Sequence, residues 1–226
     1  MATLTIKPTA AGNDVQIKSG DGNTTHATFG DTNNISMSTG SIASAVTGTL
    51  GSGIVFPAGH IIQIVSYIDT DDQYLTSAST NTFASFPTPF KIGITPHNTG
   101  GTATDNKILV MMTFSYGFET GTAHFRIYRD STAMAIGTNV QANQLGDTLS
   151  DRNASTQYTL YVSNRSITHL DAPAIPSSPI EIVYELKGTL GSSYADNLYL
   201  NRSDSDSNSD YASRPVSTIT LLEVVV

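Results

Sequence analysis

The sequence contains no cysteine and no tryptophan. Without cysteine there is no disulfide staple, no thiol nucleophile and no Cys-based metal site. Charge is also scarce. Charged residues make up 13% of the chain, against roughly a quarter in typical soluble domains. Basic residues are the scarcer kind: 11 Lys and Arg stand against 19 Asp and Glu, a net charge of −8. A general nucleic-acid binder needs a basic face for phosphates, and docking on an anionic membrane needs the same, so neither is expected. Long apolar runs are missing too. None approaches the roughly 20 residues of a membrane-spanning helix, so no membrane insertion is expected. The first residues, Met1 to Pro8, lack the basic segment and apolar run of a signal peptide. Sustained Glu/Lys/Leu heptads are absent, which excludes a coiled coil.

What is present is 226 residues with 38% hydrophobic content. That length suits one large all-β domain, or a smaller one with an extension. Clear apolar runs and low charge argue against disorder. Two composition regimes are visible. Residues 1–52 are small and polar, with short alternating pieces: Val15-Gln16-Ile17-Lys18, then Ala27-Thr28-Phe29, then Ile35-Ser36-Met37. Gly20-Asp21-Gly22-Asn23 and Gly30-Asp31-Thr32-Asn33-Asn34 separate them, a pattern of strand, turn and strand. So few apolar residues cannot build a core alone, so this segment is either a flexible arm or a β-rich shaft or anchor buried against other chains. Glycines between Gly48 and Gly53 mark the boundary.

Residues 53–226 read as an antiparallel β-sandwich of jelly-roll type. Strands are predicted over 60–68, 90–95, 107–116, 123–129, 156–164, 180–187, 197–202 and 218–226, with turn clusters between them. In the third strand Ile108, Val110, Met112, Phe114 and Tyr116 share one face. In the sixth, alternation turns Glu181 and Glu185 outward. No stretch of useful length has helical period, so α/β folds are not expected. The last strand, Ile219-Thr220-Leu221-Leu222-Glu223-Val224-Val225-Val226, reads as apolar on both faces. Such a strand wants cover on both sides. It is either a central core strand or one that packs its second face on sister subunits. The second reading makes Ile219, Leu221, Leu222, Val224 and Val226 candidates for a trimer interface.

The order of several short motifs resembles the C-terminal domain of tail-fibre-like and head-fibre-like virion proteins of marine bacteriophages. The matching pieces are Phe56-Pro57-Ala58-Gly59-His60-Ile61-Ile62-Gln63-Ile64-Val65, Ile94-Thr95-Pro96 leading to Asn106-Lys107-Ile108-Leu109-Val110, and Phe125-Arg126-Ile127-Tyr128-Arg129. They continue with Leu170-Asp171-Ala172-Pro173, Leu198-Tyr199-Leu200-Asn201-Arg202, and Ser217-Thr218-Ile219-Thr220-Leu221-Leu222-Glu223-Val224. The resemblance covers about residues 54–226. It implies a virion structural protein, commonly trimeric, with a jelly-roll-like tip. The first 50 residues resemble the short β-repeat shafts that precede such tips. Tail and capsid attachment are both open within this family.

Catalytic signatures are lacking. The five histidines, His26, His60, His97, His124 and His169, have no close partner in sequence. There is no Gly-x-Ser-x-Gly elbow, no phosphate loop and no marked acidic pair for glycoside cleavage. The chain is therefore not expected to be an enzyme, and no cofactor or metal is called for. The loop Asp204-Ser205-Asp206-Ser207-Asn208-Ser209-Asp210 resembles the first half of a calcium loop. It then fails, with Ser209 where the turn glycine belongs and Pro215 where the bidentate Glu belongs. It reads as a solvated loop, with calcium the competing reading. Tyr67, Tyr74, Tyr194 and Tyr211 fall in or near predicted loops, where tyrosine beside polar residues suits stacking on sugars. Asn208, Tyr211 and Arg214 form the candidate glycan-contact set. Arg126 and Arg129 flank Tyr128 and could pair with Glu181, Glu185 or Asp171 across sheets or subunits; at a surface such pairs would be worth little. The expected function is a trimeric fibre or appendage on the outside of a virion, on capsid or tail. It would join other virion proteins through its N-terminal segment and contact host-surface glycans. The alternative is a capsid decoration protein or tail adaptor without receptor binding.

Overall fold

A computed structural model describes residues 57–76, 82–97, 106–138, 140, 144–153, 161–174, 180–191, 197–208 and 212–226, with the backbone of three strands nearer the N-terminus. The chain divides into two compact units, Met1–Gly51 and Ser52–Val226. In the first, β1 (Val15–Lys18), β2 (Thr25–Phe29) and β3 (Ile35–Met37) form an antiparallel sheet in the order β1-β2-β3. The Gly/Asp/Asn clusters fall between these strands, where glycine and Asx residues suit turns.

Among the described residues, the second unit contributes twelve strands: β4 (Ile61–Asp69), β5 (Gln73–Leu75), β6 (Ala84–Ser85), β7 (Lys91–Ile94), β8 (Lys107–Gly117), β9 (Gly121–Arg129), β10 (Thr132–Met134), β11 (Leu149–Asn153), β12 (Ser163–Asp171), β13 (Ile182–Leu190), β14 (Leu198–Leu200) and β15 (Ser217–Val224). They build two six-stranded sheets. The front sheet runs β4-β15-β8-β14-β5, with β12 beside β8. The back sheet runs β10-β9-β13-β6, with β11 beside β9 and β7 beside β13. Four antiparallel pairs carry the topology: β4 with β15, β7 with β13, β8 with β12, and β9 with β11. The chain crosses between the sheets repeatedly, with β4, β5, β8, β12, β14 and β15 in front and β6, β7, β9, β10, β11 and β13 in the back, and early strands pair with late ones. That is the rolled-up ribbon of a jelly roll, and the expected all-β antiparallel sandwich is what the chain adopts. Three residues, 118–120, carry it from β8 in one sheet to β9 in the other. Gly121 follows them at φ 106, a value open to glycine alone without strain.

The core lies between the sheets and follows the period-two pattern. Ile108, Val110, Met112, Phe114 and Tyr116 of β8 are all fully buried, as their alternation predicts. They meet Phe125 and Ile127 of β9, Tyr184 and Leu186 of β13, and Ile219 and Leu221 of β15. Phe125 joins the layers, with its ring 4.9 Å from Phe114 and 4.6 Å from Tyr116.

Three expectations change. The strand predicted over 156–164 mostly lies outside the described residues. The strand found there is β12, starting at Ser163. Glu185 points away from the core as alternation predicts, yet it is only 8% exposed. β15 is not apolar on both faces, because Glu223 takes an inward position and is fully buried.

Candidate functional site

The outer face of the front sheet is the most unusual surface of the second unit. On β15, Ser217, Ile219, Leu221 and Glu223 point inward, so Thr218, Thr220, Leu222 and Val224 point out. Register then builds rows across the sheet. Leu222 stands opposite Ile64 of β4 on one side and Leu109 of β8 on the other, and Leu109 stands opposite Leu170 of β12. Four strands thus lay an unbroken apolar row: Ile64, Leu222, Leu109, Leu170. Ile64 is 60% exposed and Leu170 51%. Val224 and exposed Ile61 flank the row on one side, and exposed Met111 flanks it on the other.

The remaining outward positions of the next two rows are hydroxyls or Ile68. Ser66 bonds Thr220 at 3.0 Å, and Thr113 bonds Ser166 at 3.0 Å. These side chains satisfy one another across strands. The three rows therefore hold no charged residue; the first charge met is Lys107, opposite Val224. Apolar patches of this kind on soluble domains mark interaction sites.

The back sheet is the opposite in character. Its outer face carries Lys187 over the Tyr128 ring at 4.7 Å and Arg126 over the Phe83 ring at 3.8 Å. His124 Nδ1 lies 2.5 Å from Asp147 Oδ2, and Lys187 Nζ lies 3.7 Å from Glu185. One face of the sandwich is dressed in charge and the other in aliphatic side chains.

The candidate trimer-interface residues separate by face. Ile219 and Leu221 are fully buried within the chain's own core, so they are not available to a sister subunit. Leu222 and Val224 lie outward and half-buried, and Val226, beyond the end of β15, is 53% exposed. The sequence pattern marked the strand but did not divide its two faces.

The candidate glycan loop also separates. Tyr211 lies outside the described residues, as does Tyr194. Asn208 is exposed. Arg214 is exposed but engaged, with one guanidinium nitrogen 2.5 Å from Asp72 and another 2.5 Å from Asp206. Arg202 approaches the same two carboxylates at 3.6 and 3.5 Å. Burial pulls the Asp72 carboxyl upward, but the hydrogen bond and charge of Arg214, with Arg202 behind them, outweigh it and hold the carboxyl below its usual value. Both oxygens of Asp206 already face an arginine, so it is poorly placed to serve calcium. No cluster of metal-binding side chains occurs among the described residues. Tyr67 is not a loop residue but a half-buried member of β4, its ring 6.3 Å from that of Phe90. Tyr74 is exposed on β5, next to Tyr199 at 5.7 Å.

Sequence reasoning missed a second polar assembly. Tyr116, at the end of β8, donates its hydroxyl to Asp151 Oδ2 of β11 at 2.6 Å, and Arg165 of β12 reaches the same oxygen at 3.0 Å. Burial, reinforced by the Asp151 carboxylate, pushes the Tyr116 hydroxyl far above its ordinary pKa and keeps it a donor. These residues come from three strands and share no local motif.

Comparisons with known proteins add little. No family model matches the chain, and no curated protein matches it. Among solved structures, a chain in the structure of the infectious bursal disease virus Gx strain aligns with TM-score 0.34 and 13% identity, covering 85% of this chain and 45% of that one. One from the Gt strain aligns with TM-score 0.27 and 14% identity, covering 84% and 48%. The chain thus spans about half the length of the structures it matches. Likeness at this level carries no argument about function.

Proposed function

We propose that the chain is a virion structural protein that works by assembly and surface contact rather than catalysis. Three copies associate through the outer face of the front sheet. The jelly roll then stands on the exterior of the particle as a fibre or appendage tip that meets the host surface, and the N-terminal unit joins other virion proteins. One observation carries the reading: the charge-free row of Ile64, Leu222, Leu109 and Leu170, with Leu222 of the last strand at its centre. In a chain of net charge −8, a neutral face is where like copies meet without repulsion. The motif order over residues 54–226 that resembles fibre-like virion proteins supports the trimer. Three equivalent weak sites on one particle then gain avidity.

The test is solution mass by size-exclusion chromatography with multi-angle light scattering. The expected mass is near three times the 23.9 kDa of one chain. Leu222→Asp is expected to bring it to one chain while the fold persists. A stable monomer of the unaltered protein at micromolar concentration overturns the reading. Gold-labelled antibody on intact particles then separates the roles: a few sets at the tail mark host attachment, and many copies over the head mark decoration.

A further inference from the structure

Where the front and back sheets part beside β11 and β12, a cleft of about 280 Å³ opens at the margin of the sandwich. Tyr116, Asp151, Arg152, Tyr161, Ser163 and Arg165 are among its walls. We propose that this cleft binds a saccharide that bears an anionic group, a carboxylate or a sulfate. It deepens the attachment reading by naming the class of ligand and the place where it docks.

Charge comes first. The walls hold two arginines and one carboxylate, a local balance of +1 in a chain of net −8. The carboxylate is already committed. Asp151 Oδ2 accepts from the Tyr116 hydroxyl at 2.6 Å and from Arg165 Nη2 at 3.0 Å, while Oδ1 accepts the Arg152 backbone N–H at 2.9 Å. It therefore fixes Arg165 in place without cancelling Arg152, whose guanidinium forms no ion pair among the described residues. Arg152, next to Asp151 on β11, is exposed and lies in the same cleft wall. A planar guanidinium with several donors is the group best shaped to grip a carboxylate or sulfate.

Shape comes second. Tyr161 is 65% exposed at the rim and offers an aromatic surface to the C–H face of a sugar ring. Ser163 adds a hydroxyl for ring oxygens and hydroxyls. The volume falls just below the ~300–1,000 Å³ of sites for drug-sized ligands, so one sugar ring is the natural occupant. The floor is rigid, because Tyr116 is fully buried and hydrogen-bonded.

The experiment is ligand-observed NMR with the full chain and four probes: methyl glucuronide, glucose 6-sulfate, methyl glucoside and inorganic sulfate. At least one anionic sugar is expected to bind at roughly millimolar strength, with methyl glucoside about tenfold weaker or more. Arg152→Gln is expected to erase that preference, and Tyr161→Ala to weaken every sugar. Both side chains are exposed, so an unchanged melting temperature confirms that the fold survives. Binding of no sugar, equal binding of neutral and anionic sugars, or full retention in Arg152→Gln overturns the proposal. Equal competition by inorganic sulfate reveals a bare anion site and overturns it too. A trimer that binds no sugar sinks this inference alone, while a monomer that binds one sinks only the assembly reading.

Discussion

Arg129 of β9 holds both carboxylate oxygens of Asp171 of β12, each at 2.8 Å. The two strands belong to different sheets, so this pair clamps the layers of the sandwich together. Tyr184 of β13 adds its hydroxyl to Asp171 Oδ2 at 2.7 Å. Burial, reinforced by the hydrogen bond to Asp171, drives that hydroxyl far above its ordinary pKa and keeps it a donor. The sequence suggested this partner for Arg129 across sheets or subunits, with the pair worth little if it lay at a surface. Asp171 is in fact 3% exposed, and burial changes the consequence of breaking the pair.

Asp171→Ala strands a half-buried guanidinium and an orphaned tyrosine hydroxyl at once. Removing one partner of a buried pair typically costs about 3–5 kcal/mol. Tyr184→Phe removes one hydrogen bond from the same carboxylate and is expected to cost only about 1 kcal/mol. Urea unfolding midpoints of the two variants check the order. Equal small losses would mean that the clamp adds little to stability.

Neighbouring residues of β15 are expected to behave in opposite ways. Leu221 is fully buried, so Leu221→Ala should cost about 2–5 kcal/mol through lost burial and a cavity. Leu222 lies on the outer face, so Leu222→Asp should leave the unfolding midpoint of one chain nearly unchanged while it dissolves the assembly. Light scattering and urea melts together read both effects. A Leu222→Asp protein that unfolds outright would place that side chain in the core instead.

Legibility in the sequence followed pattern strength. The alternation in β8 was explicit, and every inward residue lies where it pointed. β15 was visible as a strand, but its two faces could not be separated without knowing that Leu109 and Ile64 flank Leu222. β12, with the sequence Ser-Asn-Arg-Ser-Ile-Thr-His-Leu-Asp, carries few apolar residues because it is an edge strand. The apolar run Tyr158 to Val162, just before it, drew the prediction instead. Glu185 was turned outward correctly, but no local pattern tells what else covers an outward side chain. The cleft was illegible for a related reason. Tyr116, Asp151 and Arg165 meet only because β12 returns along β8 while β11 returns along β9.

Two glycines separate a rigid contact from a yielding one. A Cβ on Gly117 would lie 2.6 Å from the Arg202 carbonyl oxygen and 2.8 Å from Ser203 Cα, both backbone. On Gly188 the nearest atom is the tip of the Leu198 side chain at 2.7 Å. Gly117→Ala must push the loop after β14 off the sheet and is expected to cost about 1–3 kcal/mol. Gly188→Ala should cost less, because a leucine can change rotamer. Thermal melts of the two variants test the order, and a reversed order would show that the loop gives more easily than the core.

The charge cluster of Arg202, Arg214, Asp72 and Asp206 should matter little to the fold. Arg214, Asp72 and Asp206 all keep more than two-fifths of their side-chain surface in water. Exposed pairs contribute about 0–1 kcal/mol and are screened by salt. Arg214→Ala is expected to leave the melting temperature almost unchanged, and added calcium should not alter it in the parent protein. A calcium-dependent rise in melting temperature would restore the metal-loop reading of residues 204–210.

Glu223 makes the pH behaviour testable. It is fully buried, and Oε1 accepts the His97 backbone N–H and Asn106 Nδ2, each at 2.7 Å. With its amide turned to donate, Gln63 reaches Oε2 at 3.2 Å and the Thr95 carbonyl at 3.0 Å. Burial raises the Glu223 carboxyl above its usual value, and the hydrogen bonds and the His97 charge offset this only in part. A pKa raised in the folded state means that folding favours the protonated form. The stability that this lends is fully present below the unfolded pKa and fades as pH rises through the folded one. Glu223→Gln keeps an oxygen for His97 and Asn106, and Gln63 can turn its own carbonyl to meet the new amide. The variant should therefore be more stable than the parent at pH 7.5. Its advantage should shrink as pH falls and vanish once the parent's carboxyl is protonated. Asp69, also raised by burial, is present in both proteins and drops out of the comparison. Urea midpoints of the two proteins between pH 4 and 8 check the trend, and an advantage that grows toward acid pH would reverse the assignment.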